Sequence, residues 1–163
     1  MTEEKHIFSI IVDNQPGVLS RIAGLFSGRG YNIESLCVAE TMEPDISRIT
    51  MVTKGDAKVI EQIKKQLFKL INVIKVYDLT TEKSIQRELI LIKVYAKPEH
   101  RAEILRIVDI FRAKVVDVGP EHYTIEVTGT EDKLNAIQTL LKPMGIKNIA
   151  RSGRIALLRE SKP

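Results

Sequence analysis

Three histidines, one cysteine and a scatter of carboxylates are the side chains here best equipped for catalysis or metal binding. His6, His100 and His122 lie far apart in the chain, and none pairs with a second histidine or a cysteine at metal-ligand spacing. Each reads as a surface or loop histidine. Cys37 stands between Leu36 and Val38, a setting for a buried, inert thiol; a nucleophile there would need a nearby base that the adjoining sequence does not offer. The serines lack a recognisable triad context, and Glu34 and Glu40 read as strand and loop surface. Gly28-Arg29-Gly30 lacks the third glycine of a dinucleotide fingerprint and ends a helix instead of opening one. No G-x-x-x-x-G-K-[ST] phosphate loop occurs. These residues do not describe an enzyme.

A different chemistry is open to Val12-Asp13-Asn14-Gln15-Pro16-Gly17-Val18-Leu19. This run joins a strand-like segment to a helical one, and Pro16 favours the opening of a helix. Gly17 has no side chain, so nearby N–H groups stay open to a ligand. Those groups and the helix dipole suit an anion such as an amino-acid carboxylate. Asn14 both donates and accepts, and Val18 and Leu19 can flank an aliphatic side chain. The same residues also fit a plain strand-to-helix turn, with Asn14 as its cap and Gly17 as a small residue the backbone requires. Magnitudes show that the turn alone is insufficient. A helix N-terminus contributes about 0.3–1 kcal/mol toward one anion, a net hydrogen bond about 1 kcal/mol, and burial of a valine-sized side chain about 1.5–3 kcal/mol. Micromolar affinity needs about 8 kcal/mol, so a second subunit closing over the ligand would have to supply further contacts.

What must position this turn is a plan that occurs twice. Residues 6–12 form an apolar strand, 18–26 an amphipathic helix ended by Gly28 and Gly30, and 31–39 and 46–53 two strands about a turn at Glu43-Pro44-Asp45. Residues 57–70 form a helix striped by Ile60, Ile63, Leu67 and Leu70, with Asp56 as N-cap, and 73–79 a closing strand. The order then returns: strand 88–96, helix 99–111, strands 114–118 and 123–128 about Gly119-Pro120, helix 131–141, and a last strand over 146–158. Polar residues 80–87 form the expected boundary, giving domains 1–80 and 81–163. The order β-α-β-β-α-β is that of the ferredoxin-like sandwich. The fold class is therefore α+β, two tandem ferredoxin-like units with helices on one sheet face. Neither Ile7-Phe8-Ser9-Ile10-Ile11-Val12 nor Leu89-Ile90-Leu91-Ile92 alternates as a strand with one wet face should. Both want cover on both sides, and modules of this size bury a modest share of their surface alone. A homodimer is the expected remedy.

Several classes fall away. No apolar run approaches the ~20 residues of a membrane span, and a charged N-terminus leading straight into a strand does not read as a secretory signal. One cysteine permits no internal disulfide and suits a reducing cytosol, so a cytoplasmic location is expected. RNA-recognition modules share this strand order but stack bases on central-strand aromatics; residues 46–53 contain none, and aromatics total 5% of the chain. A partner nucleic acid is not expected. The net charge of +4 lies wholly in residues 81–163, which hold fifteen basic and eleven acidic side chains. Lys142, Lys147, Arg151, Arg154, Arg159 and Lys162 crowd its end, reading equally as a solvated rim or as a docking surface for an acidic partner.

Asn14-Gln15-Pro16-Gly17-Val18-Leu19, followed by Ile22-Ala23 and Phe26, resembles an ACT domain. Leu25-Phe26-Ser27, then Arg29-Gly30-Tyr31-Asn32-Ile33-Glu34-Ser35-Leu36, is similar to the signature of acetohydroxyacid (acetolactate) synthase small subunits. Ser47-Arg48-Ile49-Thr50, Glu61 to Leu67, Arg87-Glu88-Leu89, Phe111-Arg112-Ala113 and Ala150-Arg151-Ser152-Gly153 extend the likeness over nearly the whole chain. The resemblance implies an N-terminal ACT domain, a second ACT-like domain and a non-catalytic regulatory role. Its partner would be a large catalytic subunit that uses thiamine diphosphate, Mg²⁺ and FAD to condense pyruvate with a 2-ketoacid. The small subunit would raise that activity and confer feedback inhibition by valine, or by leucine or isoleucine, in branched-chain amino-acid biosynthesis. The effector would lie between two N-terminal domains, touching Asn14, Gly17 and Val18 of one chain and Asn32 and Ile33 of the other. Taken without the resemblance, Asn32 is equally a turn residue after Gly30, and Ile33 equally core. The alternative function is a free-standing amino-acid-sensing ACT protein acting on transcription or another enzyme.

Overall fold

Two interleaved periodicities build this chain, and each unit pairs a strand period of two with a helix period of 3.6. The computed structural model describes residues 4–160, which form two units: 4–85 with 154–160, and 86–153.

In the first unit the order is β1 (Glu4–Asp13), α1 (Val18–Ser27), β2 (Ile33–Glu40), β3 (Ile46–Gly55), α2 (Ala57–Phe68) and β4 (Val73–Asp78). The sheet runs β2-β3-β1-β4 with every neighbour antiparallel. Phe8, Ile10 and Val12 of β1 and Ile49 and Met51 of β3 face the helices, meeting Val18, Ile22 and Phe26 of α1 and Ile60, Ile63 and Leu67 of α2. Truncating any one of the isoleucines, Met51, Leu67 or the phenylalanines among these to alanine would cost about 2–5 kcal/mol. Asp56 caps α2 as expected, its carboxylate accepting the Val59 N–H at 2.9 Å. At the far end of α1 the left-handed residue is Gly30 (φ 74°), and Tyr31 N–H donates back to Phe26 O at 3.1 Å.

In the second unit β5 (Ser84–Tyr95), α3 (Arg101–Ile110), β6 (Lys114–Val118), β7 (His122–Gly129), α4 (Glu131–Leu141) and β8 (Ile146–Arg151) repeat the plan, with sheet order β6-β7-β5-β8. Ile90, Ile92 and Val94 pack with Ile104, Ile107 and Val108 of α3 and Leu134, Ile137 and Leu141 of α4. Both units are thus the ferredoxin-like sandwich that the strand order implies.

Two departures matter. The last strand, expected to be continuous over 146–158, is broken after Arg151. Gly153 takes φ 85°, which a strand cannot continue through, and β9 (Ile155–Leu158) belongs to the first unit. Ala156 there is 4% exposed and packs with Ile7, Val52 and Leu79 on the sheet face away from the helices. The non-alternating run in β1 is therefore buried on both sides from within one chain. Strand β5 also starts earlier than expected, at Ser84, inside the supposed linker, because β9 pairs with it. In the second unit Leu89 and Leu91 stay 36% and 38% exposed while Ile90 and Ile92 are sealed.

Candidate effector site

The turn from β1 to α1 is held by the end of β2 and the turn that follows it. Asn14 N–H donates to Asp45 O at 2.8 Å. Its side-chain Nδ2 donates to Pro44 O at 2.8 Å and to Glu40 Oε1 at 3.3 Å. Both partners are acceptors, which fixes the amide's orientation and leaves Oδ1 as the group it can offer a ligand. Asn14 is therefore not the helix cap. That position is Gly17, in a left-handed conformation (φ 86°, ψ −10°), so the helix opens at Val18 and Pro16 lies outside it. A Cβ on Gly17 would meet nothing within 4 Å. Glycine is required here by backbone strain and not by crowding. Helix α1 has neither a side-chain cap nor an acidic residue in its first turn. Val18 N–H already donates to Gln15 O at 3.3 Å, so it is the N–H groups of Leu19 and Ser20 that can receive a carboxylate, in the field of the helix dipole. Val18 is 5% exposed and points into the core, whereas Leu19 is 41% exposed; of the two, Leu19 alone offers a free apolar surface. Glu40, whose partnership with Asn14 spans 26 residues, is the group that sequence spacing could not reveal. It puts an anion where an ammonium group would pair.

Asn32 and Ile33 sit elsewhere. Ile33 opens β2 and packs half-buried on the core, and Asn32 is exposed, its backbone O accepting Thr53 Oγ1–H at 2.8 Å. Next to them Glu34 holds Lys54 at 2.8 Å and Lys5 at 3.4 Å. The Lys54 hydrogen bond, against some burial, pulls its carboxyl below the ordinary glutamate value. The register fixes how far apart the two halves are. Ile33 pairs with Thr53 and Thr53 with His6, whereas Glu40 pairs with Ser47 and Asp13 with Ile46. His6 to Asp13 spans seven steps of about 3.3 Å, so Asn32 and Asn14 stand at opposite ends of the sheet. One chain does not bring them together. An open groove of about 590 Å³ lined by Arg29, Gln62, Lys65, Gln66, Phe68 and Lys69 contains none of the six expected residues.

Residues 8–75 match the family described as the AHAS small subunit-like ACT domain, and residues 87–160 match the small subunit of acetolactate synthase. A probable acetolactate synthase small subunit of Archaeoglobus fulgidus is 52% identical over 97% of this chain and 99% of its own. The chain belongs to the acetolactate synthase small-subunit family. The acetolactate synthase small subunit of Aquifex aeolicus is 58% identical over 96% of this chain and 82% of its own. A crystal structure of the Thermotoga maritima acetolactate synthase small subunit superposes with a TM-score of 0.89 at 42% identity, over 98% of this chain and 99% of that one.

Within this family member the remaining chemical side chains have structural surroundings. His6 is buried in β1, contrary to a surface reading, because its strand position faces inward; Nδ1 lies 3.5 Å from Thr80 Oγ1. The His122 ring lies 4.5 Å from that of Tyr95. Cys37 is a free thiol only half-buried, because β2 is an edge strand with cover on fewer sides than an interior one. Among the described residues, no group of three His, Cys, Asp or Glu side chains could hold a metal ion, and no helix is long and apolar enough to cross a membrane. Of the basic residues near the chain end, Arg151 is not a free docking group: it forks onto Glu88 at 2.7 and 3.1 Å. That hydrogen bond, against partial burial, raises its pKa. Lys162 lies outside the described residues.

Proposed function

We propose that this small subunit activates a thiamine-diphosphate-dependent acetolactate synthase and makes it inhibitable by valine or another branched-chain amino acid, bound between the ACT domains of two copies. The observation that carries the reading is the separation of the two half-sites along the sheet. Strand β2 lies at the sheet edge, with β3 as its single neighbour. Antiparallel pairing of two β2 edges would reverse one against the other. The Asn32–Ile33 end of one copy would then face the Glu40 end of its mate, where Asn14 is anchored. Such an isologous contact makes two equivalent clefts. In each, the carboxylate would sit at the first turn of α1 and the ammonium group between Glu40, Asn14 Oδ1 and Asn32 of the mate. The aliphatic side chain would rest on Leu19 and the mate's Ile33.

Pyruvate chemistry, thiamine diphosphate, Mg²⁺ and FAD belong, in this reading, to the large catalytic subunit in the cytoplasm; this chain contributes a binding equilibrium. Valine can shift that assembly only by its difference in affinity between an active and an inhibited state. The test mixes the chain with its catalytic subunit and measures acetolactate formation with and without valine. Stimulation by the chain, lost on adding valine, supports the reading. No stimulation and no response to any branched-chain amino acid refutes it. A free-standing sensor would fail to co-purify with the catalytic subunit.

A further inference from the structure

The face of the first sheet that the helices leave open carries one continuous row of contacts. In the register, Ser35 of β2 pairs with Val52 of β3, and Val52 pairs with Ile7 of β1. Leu79 N–H then donates to Ile7 O at 2.8 Å. These four residues form one row across the sheet, starting two residues beyond Ile33. The returning chain end lies along that row. Arg154 N–H donates to Ser35 Oγ at 2.9 Å, and Ala156 is buried with Val52, Ile7 and Leu79. Farther on, Arg159 N–H donates to Lys83 O at 2.8 Å. The segment leaving the first unit and the segment re-entering it are therefore tied to each other as well as to the row.

We propose that residues 154–159, with residues 79–85, form a strap that carries effector occupancy from the start of β2 to the second unit, and that Ser35 is its positioning residue. The inference rests on the sensor reading above. Both covalent connections to the second unit run through this ribbon, so a displacement of β2 that moves the strap cannot be absorbed by the other connection. The attachment is also light. Beyond its pairing with β5, β9 buries Ala156 against the sheet, while Ile155 and Leu157 remain more than half exposed. An element so held lies at the easily released end of the local stability range, as a two-state coupling element must. Asn32 and Ile33 could bind the effector with the strap free, but the occupancy would then not reach the second unit.

The experiment uses L-valine as probe, with Ser35→Ala and Ala156→Gly made separately. Calorimetry on the full chain gives the valine Kd, and the complex with its catalytic subunit gives the half-inhibitory valine concentration. The expected result is a Kd within about twofold of wild type and a half-inhibitory concentration raised about three- to tenfold, the worth of one hydrogen bond in Ser35→Ala and of about one buried methyl group in Ala156→Gly. A half-inhibitory concentration unchanged in both variants overturns the proposal. So does a rise matched by an equal rise in Kd, since that would be lost binding and not lost transmission. Amide exchange at Arg154 and Arg159 of the wild-type chain should change on adding valine, and unchanged exchange at both also overturns it. If the wild-type chain binds neither valine nor leucine nor isoleucine, the sensor reading itself fails, and that outcome is seen before any variant is made; if it binds leucine or isoleucine instead, that amino acid replaces valine as the probe.

Discussion

Replacing Gly17 by aspartate separates the two reasons a glycine could stand there. The position has φ 86° and open space around a would-be Cβ. Steric overlap therefore costs nothing, and backbone strain costs about 1–2 kcal/mol for an ordinary residue. Aspartate tolerates this region better than most residues. Its carboxylate at the first turn of α1 also returns about 0.3–1 kcal/mol from the dipole. Gly17→Asp should thus fold, with a midpoint lowered by at most about 14 °C in an 80-residue unit. Its charge would lie within about 4 Å of the effector's carboxylate, where like charges near a surface repel by about 4 kcal/mol before salt screening. Half of that, about 2 kcal/mol, is a rise of about thirtyfold in Kd. Gly17→Ala carries the strain without the charge and should raise Kd less than about threefold. Calorimetry with valine, thermal melts, and acetolactate assays with and without valine give the three readouts. At the valine concentration that half-inhibits the wild type, inhibition should all but vanish in Gly17→Asp while activation persists. Full inhibition in Gly17→Asp would refute the placement of the carboxylate at this turn, and equal losses in the alanine and aspartate variants would show that strain, not charge, was responsible.

Asn32→Ala should raise the valine Kd about three- to tenfold by calorimetry with little change in melting, since its side chain is exposed; an unchanged Kd would count against the half-site on β2. Arg151→Ala should lower stability by about 1–3 kcal/mol, because Glu88, 8% exposed in its side chain, would lose its fork partner. Urea unfolding checks this, and a neutral result would return Arg151 to the surface. Stability should also fall in acid. Glu34 is held below its ordinary value near 4.5 by Lys54 and Lys5, and Asp78 below its value near 3.8, where burial is outweighed by hydrogen bonds from Lys64 and Thr80. Because both folded values are depressed, their contribution is complete above the unfolded values and is lost as pH falls through the folded ones. Melting temperatures taken down to about pH 2 should drop less steeply in Glu34→Gln combined with Asp78→Asn than in wild type; parallel curves would contradict the assigned ion pairs.

Much was legible locally. Stripes such as Ile60-Ile63-Leu67 and Leu134-Ile137-Leu141 face the core as their spacing requires, because a helix's period places residues three and four apart on one side whatever they pack against. The Asp56 cap and the duplicated β-α-β-β-α-β order are legible for the same reason: both depend on neighbours in sequence. Residue types mark the turn of Asn14 to Leu19, but not how its interior is bonded. Asn14 bonds to Glu40 and Pro44 across the sheet instead of capping α1, and Gly17 takes the capping position.

Only the tertiary structure decided the rest. A run of apolar residues states that both faces of β1 are buried but not by what, and the answer, Ala156, arrives from the other end of the chain. Composition counts Arg151 as a free charge until a carboxylate 63 residues away is found beside it. The opposite ends occupied by Asn14 and Asn32 follow from strand register, which is set by which strands pair and not by any one strand's pattern. Periodicity is carried by the covalent chain, so a sequence displays it. Partnership depends on which distant segments share the small volume of a folded core, and that is settled only when the chain has closed on itself.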